Sequence, residues 1–142
     1  MMKLTLDEIK EIIPHRDPFL LLDEIIELDT FKGIGVKHVT ADEFYFKGHF
    51  PGKPVVPGVI LVESLAQVGA VIILSHDKYK GKIAYFTGIK SAKFRKSVVP
   101  GDTLYLHCEV TRIKGPFGFG KAEAYVNDEL VCEAEVSFAV GV

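Results

Sequence analysis

Cysteine is scarce: only Cys108 and Cys132 occur in 142 residues. Both fall in segments of alternating polarity and lack metal-ligand spacing, which points to two reduced, buried thiols and excludes a disulfide framework. An excess of charge of either sign is also missing. With 17 Lys+Arg against 19 Asp+Glu and a formal net charge of −2, nothing draws the chain as a whole to nucleic acid or to an acidic membrane, so an acidic partner has to be met by a local basic patch. His38, His76 and His107 show no metal spacing with one another or with carboxylates. There is no phosphate-binding glycine loop and no nucleophile elbow, and no cofactor is expected. Repeats, low-complexity tracts and interdomain linkers are absent as well, so residues 1–142 read as one domain, long enough to bury a core without disulfides.

Two further segments invite exclusion. Met1–Lys10 alternates charged and apolar residues, which is not the pattern of a secretory leader, and a cytoplasmic protein is expected. Val55–Leu74 is long and mostly apolar but contains Pro57, Glu63, Ser64 and Gln67. A membrane span rarely carries Glu and Gln near its centre, so a buried core helix is expected there.

Hydrophobic spacing supplies the rest of the outline. Thr5–Ile13 reads as a short amphipathic helix with Thr5 as N-cap and Glu8 as its capping-box partner, stopped by Pro14. Phe19–Leu28 and Phe31–Val39 read as extended, with Gly33 and Gly35 marking a bulge or a close backbone approach. Glu43–Lys47 reads as a short strand leading into a turn with Pro51, Gly52, Pro54 and Pro57, after which a helix runs from Pro57 to about His76. That helix is apolar nearly all round, so other structure must enclose it.

Strands follow: Lys82–Phe94, Thr103–Ile113, Phe119–Val126 and a last strand after a tight Asn127-Asp128 hairpin. Leu104, Leu106, Cys108 and Val110 share one face of theirs; Leu130, Cys132, Ala134, Val136, Phe138 and Val140 share one face of the last. The fold class is therefore α+β, a long antiparallel sheet wrapped around one apolar helix.

The chemistry concentrates in Gly48–Gln67, GHFPGKPVVPGVILVESLAQ. It sets His49 beside a Gly/Pro turn and Glu63 inside an apolar run. Burying a charge is costly unless it is paired or neutralised, so Glu63 calls for a reason. Taken alone, His49 also fits a turn histidine bonded to backbone, and Glu63 a carboxylate stabilised by neighbours or facing solvent.

With PHRDPFLLLDEI (Pro14–Ile25), this stretch resembles the β-hydroxyacyl-acyl-carrier-protein dehydratases of type II fatty acid synthesis, which are hot-dog-fold enzymes. The resemblance runs through essentially the whole chain and includes Val98-Val99-Pro100-Gly101-Asp102 before a sheet strand. It implies dehydration of (3R)-3-hydroxyacyl thioesters to trans-2-enoyl thioesters without isomerisation. His49 becomes the base at C2, since a neutral imidazole accepts a proton near neutrality. Glu63 becomes the acid toward the 3-hydroxyl, an apolar setting favouring its protonated form. Gln67, one turn on, is placed to hold that carboxyl, while Ser64 points elsewhere and packs. The Gly58 amide at the helix N-terminus, with Phe50 N–H as second candidate, is placed to polarise the thioester carbonyl.

The resemblance also implies partners. His49 of one chain and Glu63 of its neighbour form each site, in a dimer that assembles into a hexamer, with an acyl tunnel lined by the helix and the Phe19–Leu22 region. Acyl carrier protein is acidic, and Lys90, Lys93, Arg95 and Lys96, the densest cationic cluster, are the expected docking patch, with Arg16 a further candidate. His15 reads as structural. Three rivals stand beside this reading. A dehydratase/isomerase carries Asp where Glu63 stands; a hot-dog thioesterase does not match the GHFPG segment; and a non-catalytic acyl-thioester-binding module lacks the acid/base pair. Asp17 and Val55-Val56 depart from the family's commonest residues, at positions that bear on the tunnel entrance or chain-length preference.

Overall fold

Thr5 opens the first helix by the reciprocal bonds its sequence announces. Glu8 N–H donates to Thr5 Oγ1 at 3.3 Å, and Thr5 N–H donates to Glu8 Oε1 at 2.9 Å. The computed structural model describes residues Met2–Gly141. Its elements are β1 (Met2–Leu4), α1 (Leu6–Ile12), β2 (Glu24–Leu28), β3 (Lys32–His38), α2 (Gly58–Leu74), β4 (Ile83–Phe94), β5 (Thr103–Lys114), β6 (Phe117–Val126) and β7 (Glu129–Gly141). The strands form one antiparallel sheet in the order β1-β2-β3-β5-β6-β7-β4.

The sheet curls around α2, the hot-dog arrangement that the motif implies. Thirteen of the 17 residues of α2 are buried, on all of its sides, including Ser64 and Gln67. Ser64 satisfies its hydroxyl locally by donating to the Ile60 carbonyl at 2.7 Å, as a packing residue should. The sheet meets α2 through alternate residues: Leu104, Leu106, Cys108 and Val110 from β5, and Cys132, Ala134, Val136 and Phe138 from β7. Two glycines of β3 set how close the helix lies. A Cβ on Gly35 would sit 2.8 Å from Val68 Cγ2, and one on Gly33 would sit 3.2 Å from Ile72 Cγ1. These are the close approach expected from Gly33 and Gly35. The β6–β7 hairpin turns through Asn127 and Asp128, both at positive φ (51° and 63°), as a two-residue hairpin requires.

Three expectations are corrected. Glu43–Lys47 is not a strand: Phe44–Lys47 is a turn of 3-10 helix, opened by a Thr40–Glu43 turn and buried through Phe46 alone. The extended segment from Phe19 becomes a strand only at Glu24: Phe19 and Leu21 bond the Gln67 side chain of α2, and the backbone first reaches β3 where Asp23 N–H donates to Val36 O at 2.8 Å. The α2 helix starts at Gly58 with Pro57 as its cap and ends at Leu74. Met2–Leu4, unanticipated, adds a short edge strand beside β2.

Candidate active site

The loop after the 3-10 turn fixes His49. Phe50 N–H donates to the Lys53 carbonyl (3.1 Å), Lys53 N–H returns a bond to Phe50 O (2.9 Å), and Val55 N–H donates to His49 O (3.0 Å). The tight Pro/Gly loop thus folds back on itself and presents the imidazole, which stacks on the Phe50 ring at a centroid distance of 4.0 Å. His49 Nδ1 lies 2.8 Å from the Val55 carbonyl oxygen. A carbonyl only accepts, so Nδ1 carries the hydrogen and the lone pair of the neutral ring is on Nε2. The ring is therefore held with its free lone pair on one defined nitrogen, Nε2. The same loop bonds correct the second oxyanion candidate: the Phe50 amide is already engaged with Lys53 and is not free to meet a substrate.

The Gly58 amide stands differently. It opens α2 behind Pro57, and no side chain caps that helix end. Its first N–H groups are left without side-chain partners at the positive end of the helix dipole. Gly58, His49, Val55, Val59, Phe94, Arg95 and Lys96 line one cleft of about 510 Å³. The Phe94 ring covers Gly58 so closely that a Cβ there would come 2.8 Å from Phe94 Cε1. Absence of a side chain is what leaves the amide approachable.

Glu63 is not in that cleft. Five residues along α2 from Gly58 rotate a side chain by roughly 140° around the axis, onto another face. Glu63 and Gln67, four residues apart, share their face and line a second, smaller cavity of about 70 Å³ between α2 and strands β4 and β7. Gln67 is buried and fully bonded: its Nε2 donates to Glu63 Oε2 (3.0 Å) and to Phe19 O (2.8 Å), and its Oε1 accepts from Leu21 N–H (2.8 Å). This network fixes the amide orientation and ties it to the Glu63 carboxyl. Within one chain, then, the structure joins His49 to Gly58 and Glu63 to Gln67, but does not join the two pairs.

Residue His15, read from the sequence as a turn histidine, faces Glu63. Its Nε2 is 3.8 Å from Glu63 Oε2, and it lines the same small cavity. Burial holds its pKa below the ordinary value, with the Glu63 charge opposing and Arg16 assisting. No local spacing announced this contact; the signal was only its place in the PHRDPF motif. Arg16, the weaker docking candidate, is occupied otherwise: its guanidinium donates to the carbonyls of Lys10, Ile13 and His15.

The cationic cluster is less positive than its sequence suggests. Arg95 pairs with Glu133 at 3.0 Å, Lys90 with Glu135 at 3.7 Å, and Lys96 with Glu129. Of the four cations, Lys93 alone makes no ion pair among the described residues, though Glu133 is its cross-strand neighbour. Antiparallel pairing with the acidic face of β7 supplies these carboxylates. Arg95 and Lys96 nevertheless border the His49 cleft. A wider groove of about 660 Å³ on the sheet, at Lys90, Arg112, Phe119 and Lys121, holds neither His49 nor Glu63. Among the described residues no cluster of His, Cys, Asp and Glu has metal-binding geometry, and no helix is long and apolar enough to cross a membrane.

Known proteins resemble this chain in sequence and in fold. The model of the FabA-like domain family matches residues 13–135. The 3-hydroxyacyl-[acyl-carrier-protein] dehydratase FabZ of Clostridium botulinum (strain Loch Maree / Type A3) is 60% identical over 139 residues, 97% of this chain and 96% of that one. The FabZ of Clostridium novyi (strain NT) is 56% identical over 141 residues, covering 99% of each. Among solved structures, the dehydratase heterocomplex ApeI:P from Xenorhabdus doucetiae superposes with a TM-score of 0.79 at 16% identity, over 94% of this chain and 91% of that one. A hypothetical thioesterase protein from Streptococcus pneumoniae TIGR4, solved with coenzyme A, gives a TM-score of 0.64 at 14% identity, over 82% and 84%. The last two establish the fold alone. The first three carry more: by a family model spanning most of its length and by whole-chain identity, this chain belongs to the FabA-like family, among its 3-hydroxyacyl-[acyl-carrier-protein] dehydratases.

Proposed function

We infer that this protein is a hydro-lyase that removes water from (3R)-3-hydroxyacyl thioesters carried on acyl carrier protein, giving trans-2-enoyl thioesters in fatty acid biosynthesis. The observation that carries the reading is 60% identity across 97% of the chain to an enzyme named for that reaction. The geometry supports a division of labour. His49 takes the C2 proton on Nε2, because Nδ1 is committed to Val55. The uncapped N-terminus of α2, at Gly58, meets the thioester oxygen as negative charge develops on it. Glu63, held by Gln67, gives its proton to the departing 3-hydroxyl, which leaves as water.

These groups become one site when two chains meet. Strand β4 is a 12-residue edge strand, bonded only to β7, and it exposes Tyr85, Phe86, Ile89 and Phe94. Such an edge invites pairing. The Phe94 end of β4 borders the His49 cleft, and the Ala84–Phe86 end borders the Glu63 cavity. Antiparallel pairing of two β4 strands about a two-fold axis near Ile89 sets Phe94 of one chain opposite Ala84 of the other. The His49 cleft of each chain then abuts the Glu63 cavity of its neighbour, and each dimer holds two complete sites. Three such dimers make the expected hexamer, tested by mass in solution. The carrier protein docks where Arg95 and Lys96 flank the His49 cleft, exchanging the exposed ion pairs to Glu133 and Glu129 for acidic groups of the partner. Exposed pairs contribute only about 0–1 kcal/mol each, so the exchange costs little.

The test is conversion of a 3-hydroxybutyryl carrier-protein thioester, followed at the enoyl absorbance with free thiol measured alongside. Enoyl formation without thiol release is the expected result. Thiol release without enoyl formation means a thioesterase, and binding with neither means a non-catalytic acyl-thioester module.

A further inference from the structure

We propose that His15 is a positioning residue for Glu63, orienting the carboxyl and returning its proton after each turnover. The proposal rests on Glu63 being the acid. In one dehydration the C2 proton passes to His49 and a proton from Glu63 passes to the 3-hydroxyl; the C3–O bond breaks, a C2–C3 double bond forms, and water leaves. The enzyme ends with Glu63 one proton short and His49 one proton over. Both must be reset, and Glu63 needs a donor that reaches solvent.

The cavity around Glu63 offers one. Its lining from β4 and β7 is Ala84, Phe86, Val136, Ser137 and Phe138, and from α2 it is Ala66, Gln67 and Ala70; none of these titrates near neutrality. Among the described residues, His15 is the one other titratable group there, and Arg16, beside it in the chain, turns its guanidinium away to the backbone. Those bonds clamp the turn that carries His15. Gln67 stitches the next residues, Phe19 and Leu21, to α2 one helical turn from Glu63. His15 and Glu63 are thus held 3.8 Å apart by a turn clamped through Arg16 and a segment docked on α2 through Gln67.

The remaining ring nitrogen gives the second observation. His15 Nδ1 is buried and has no hydrogen-bond partner. A buried unpartnered polar atom is costly, and a histidine kept only for packing gains nothing by it. The side chain is also 22% exposed, so the ring reaches water while its Nε2 faces the carboxylate. With burial favouring the neutral ring and the Glu63 charge favouring the cation, a proton taken from solvent passes readily to the carboxylate. The exchange is balanced: with Nδ1 keeping its hydrogen, Nε2 takes a proton from water to form the imidazolium and gives that proton to Glu63 Oε2, which returns the ring to its neutral form.

Two measurements decide it, both on the intact protein. His15→Gln keeps a polar side chain but cannot titrate. It is expected to lower kcat by about tenfold or more while KM stays within about twofold, and imidazole in the buffer is expected to restore part of the kcat of His15→Ala. Independently, the His15 ring titrated by NMR is expected to have a lower midpoint in Glu63→Gln than in wild type. Wild-type kcat in His15→Gln, or a His15 midpoint indifferent to Glu63→Gln, overturns the proposal; if His15→Gln does not fold, the titration decides alone. Full activity in Glu63→Gln overturns the acid assignment itself. An inactive Glu63→Gln beside a fully active His15→Gln overturns only the role of His15.

Discussion

Gln67 ties Glu63 to a segment more than forty residues earlier in the chain. One amide group donates to Glu63 Oε2 at 3.0 Å, donates to Phe19 O at 2.8 Å, and accepts from Leu21 N–H at 2.8 Å. Glu63 is therefore positioned by the same bonds that dock the N-terminal segment on α2. Gln67→Leu fills similar space but strands the Leu21 N–H and the Phe19 carbonyl. It is expected to lower stability in urea by roughly 2–4 kcal/mol. It is also expected to reduce kcat in the protein that remains folded; unchanged stability and kcat would contradict the network's role.

Gly58 and Phe94 make a second checkable pair. A Cβ at position 58 would lie 2.8 Å from Phe94 Cε1. Phe94 is exposed and its ring can swing, so Gly58→Ala is expected to fold. The displaced ring and the new methyl group both crowd the His49 cleft, however, and kcat/KM is expected to fall by about 10²-fold, the scale of a misplaced reacting group. Thermal melting together with enoyl absorbance checks both halves of the expectation.

Much of this fold was legible because local rules and the global packing agree. The Thr5–Glu8 capping box, the Asn127-Asp128 turn and the alternation in β5 and β7 each needed only neighbouring residues to be read. Glu63 and Gln67 were legible as a pair because their spacing of four places them on one helical face. What escaped the sequence depended on distant partners. The strand expected from Phe19 fails because Gln67 takes its backbone bonds. The cationic run from Lys90 to Lys96 lost most of its positive character to Glu129, Glu133 and Glu135, which only the β4–β7 register brings alongside. Glu43–Lys47 has the composition of a strand, but the Thr40–Glu43 turn commits it to a 3-10 turn. His15 looked like part of a turn because its partner lies on another element.

The cysteines should be chemically silent. Burial pushes the Cys108 thiol up to about 12 and the Cys132 thiol up to about 11, each with help from a neighbouring carboxylate, Glu109 and Glu133. A thiolate is the reactive form, so both are expected to resist an aromatic disulfide reagent at neutral pH while the protein is folded. Two equivalents should react once denaturant is added. Rapid labelling of the native protein would contradict the burial.

His15 also predicts a pH effect on stability. Its folded-state pKa is lowered below the ordinary 6.5, mainly by burial. The unfolded chain therefore binds more protons between the two values, and stability rises with pH through that window. Above 6.5 the ring is neutral in both states and contributes no penalty; below the folded value the penalty is complete. Each unit of separation amounts to about 1.4 kcal/mol. Relative to wild type, His15→Gln is thus expected to gain stability as pH falls below 6.5, as read by urea unfolding at a series of pH values. A difference that stays constant across that range would contradict it.

In the proposed function, His49 of one chain and Glu63 of another form one site. The most direct measurement co-expresses His49→Ala and Glu63→Gln chains carrying different tags and isolates the mixed assembly, its composition verified by mass. Each single variant is expected to be inactive in enoyl formation. In a mixed dimer, two-fold symmetry leaves one of the two sites with both native residues, so the isolated mixed dimer should regain about half of wild-type activity, against about one quarter for an unsorted one-to-one population. A verified mixed dimer without activity would place both residues in the site of a single chain and contradict the account.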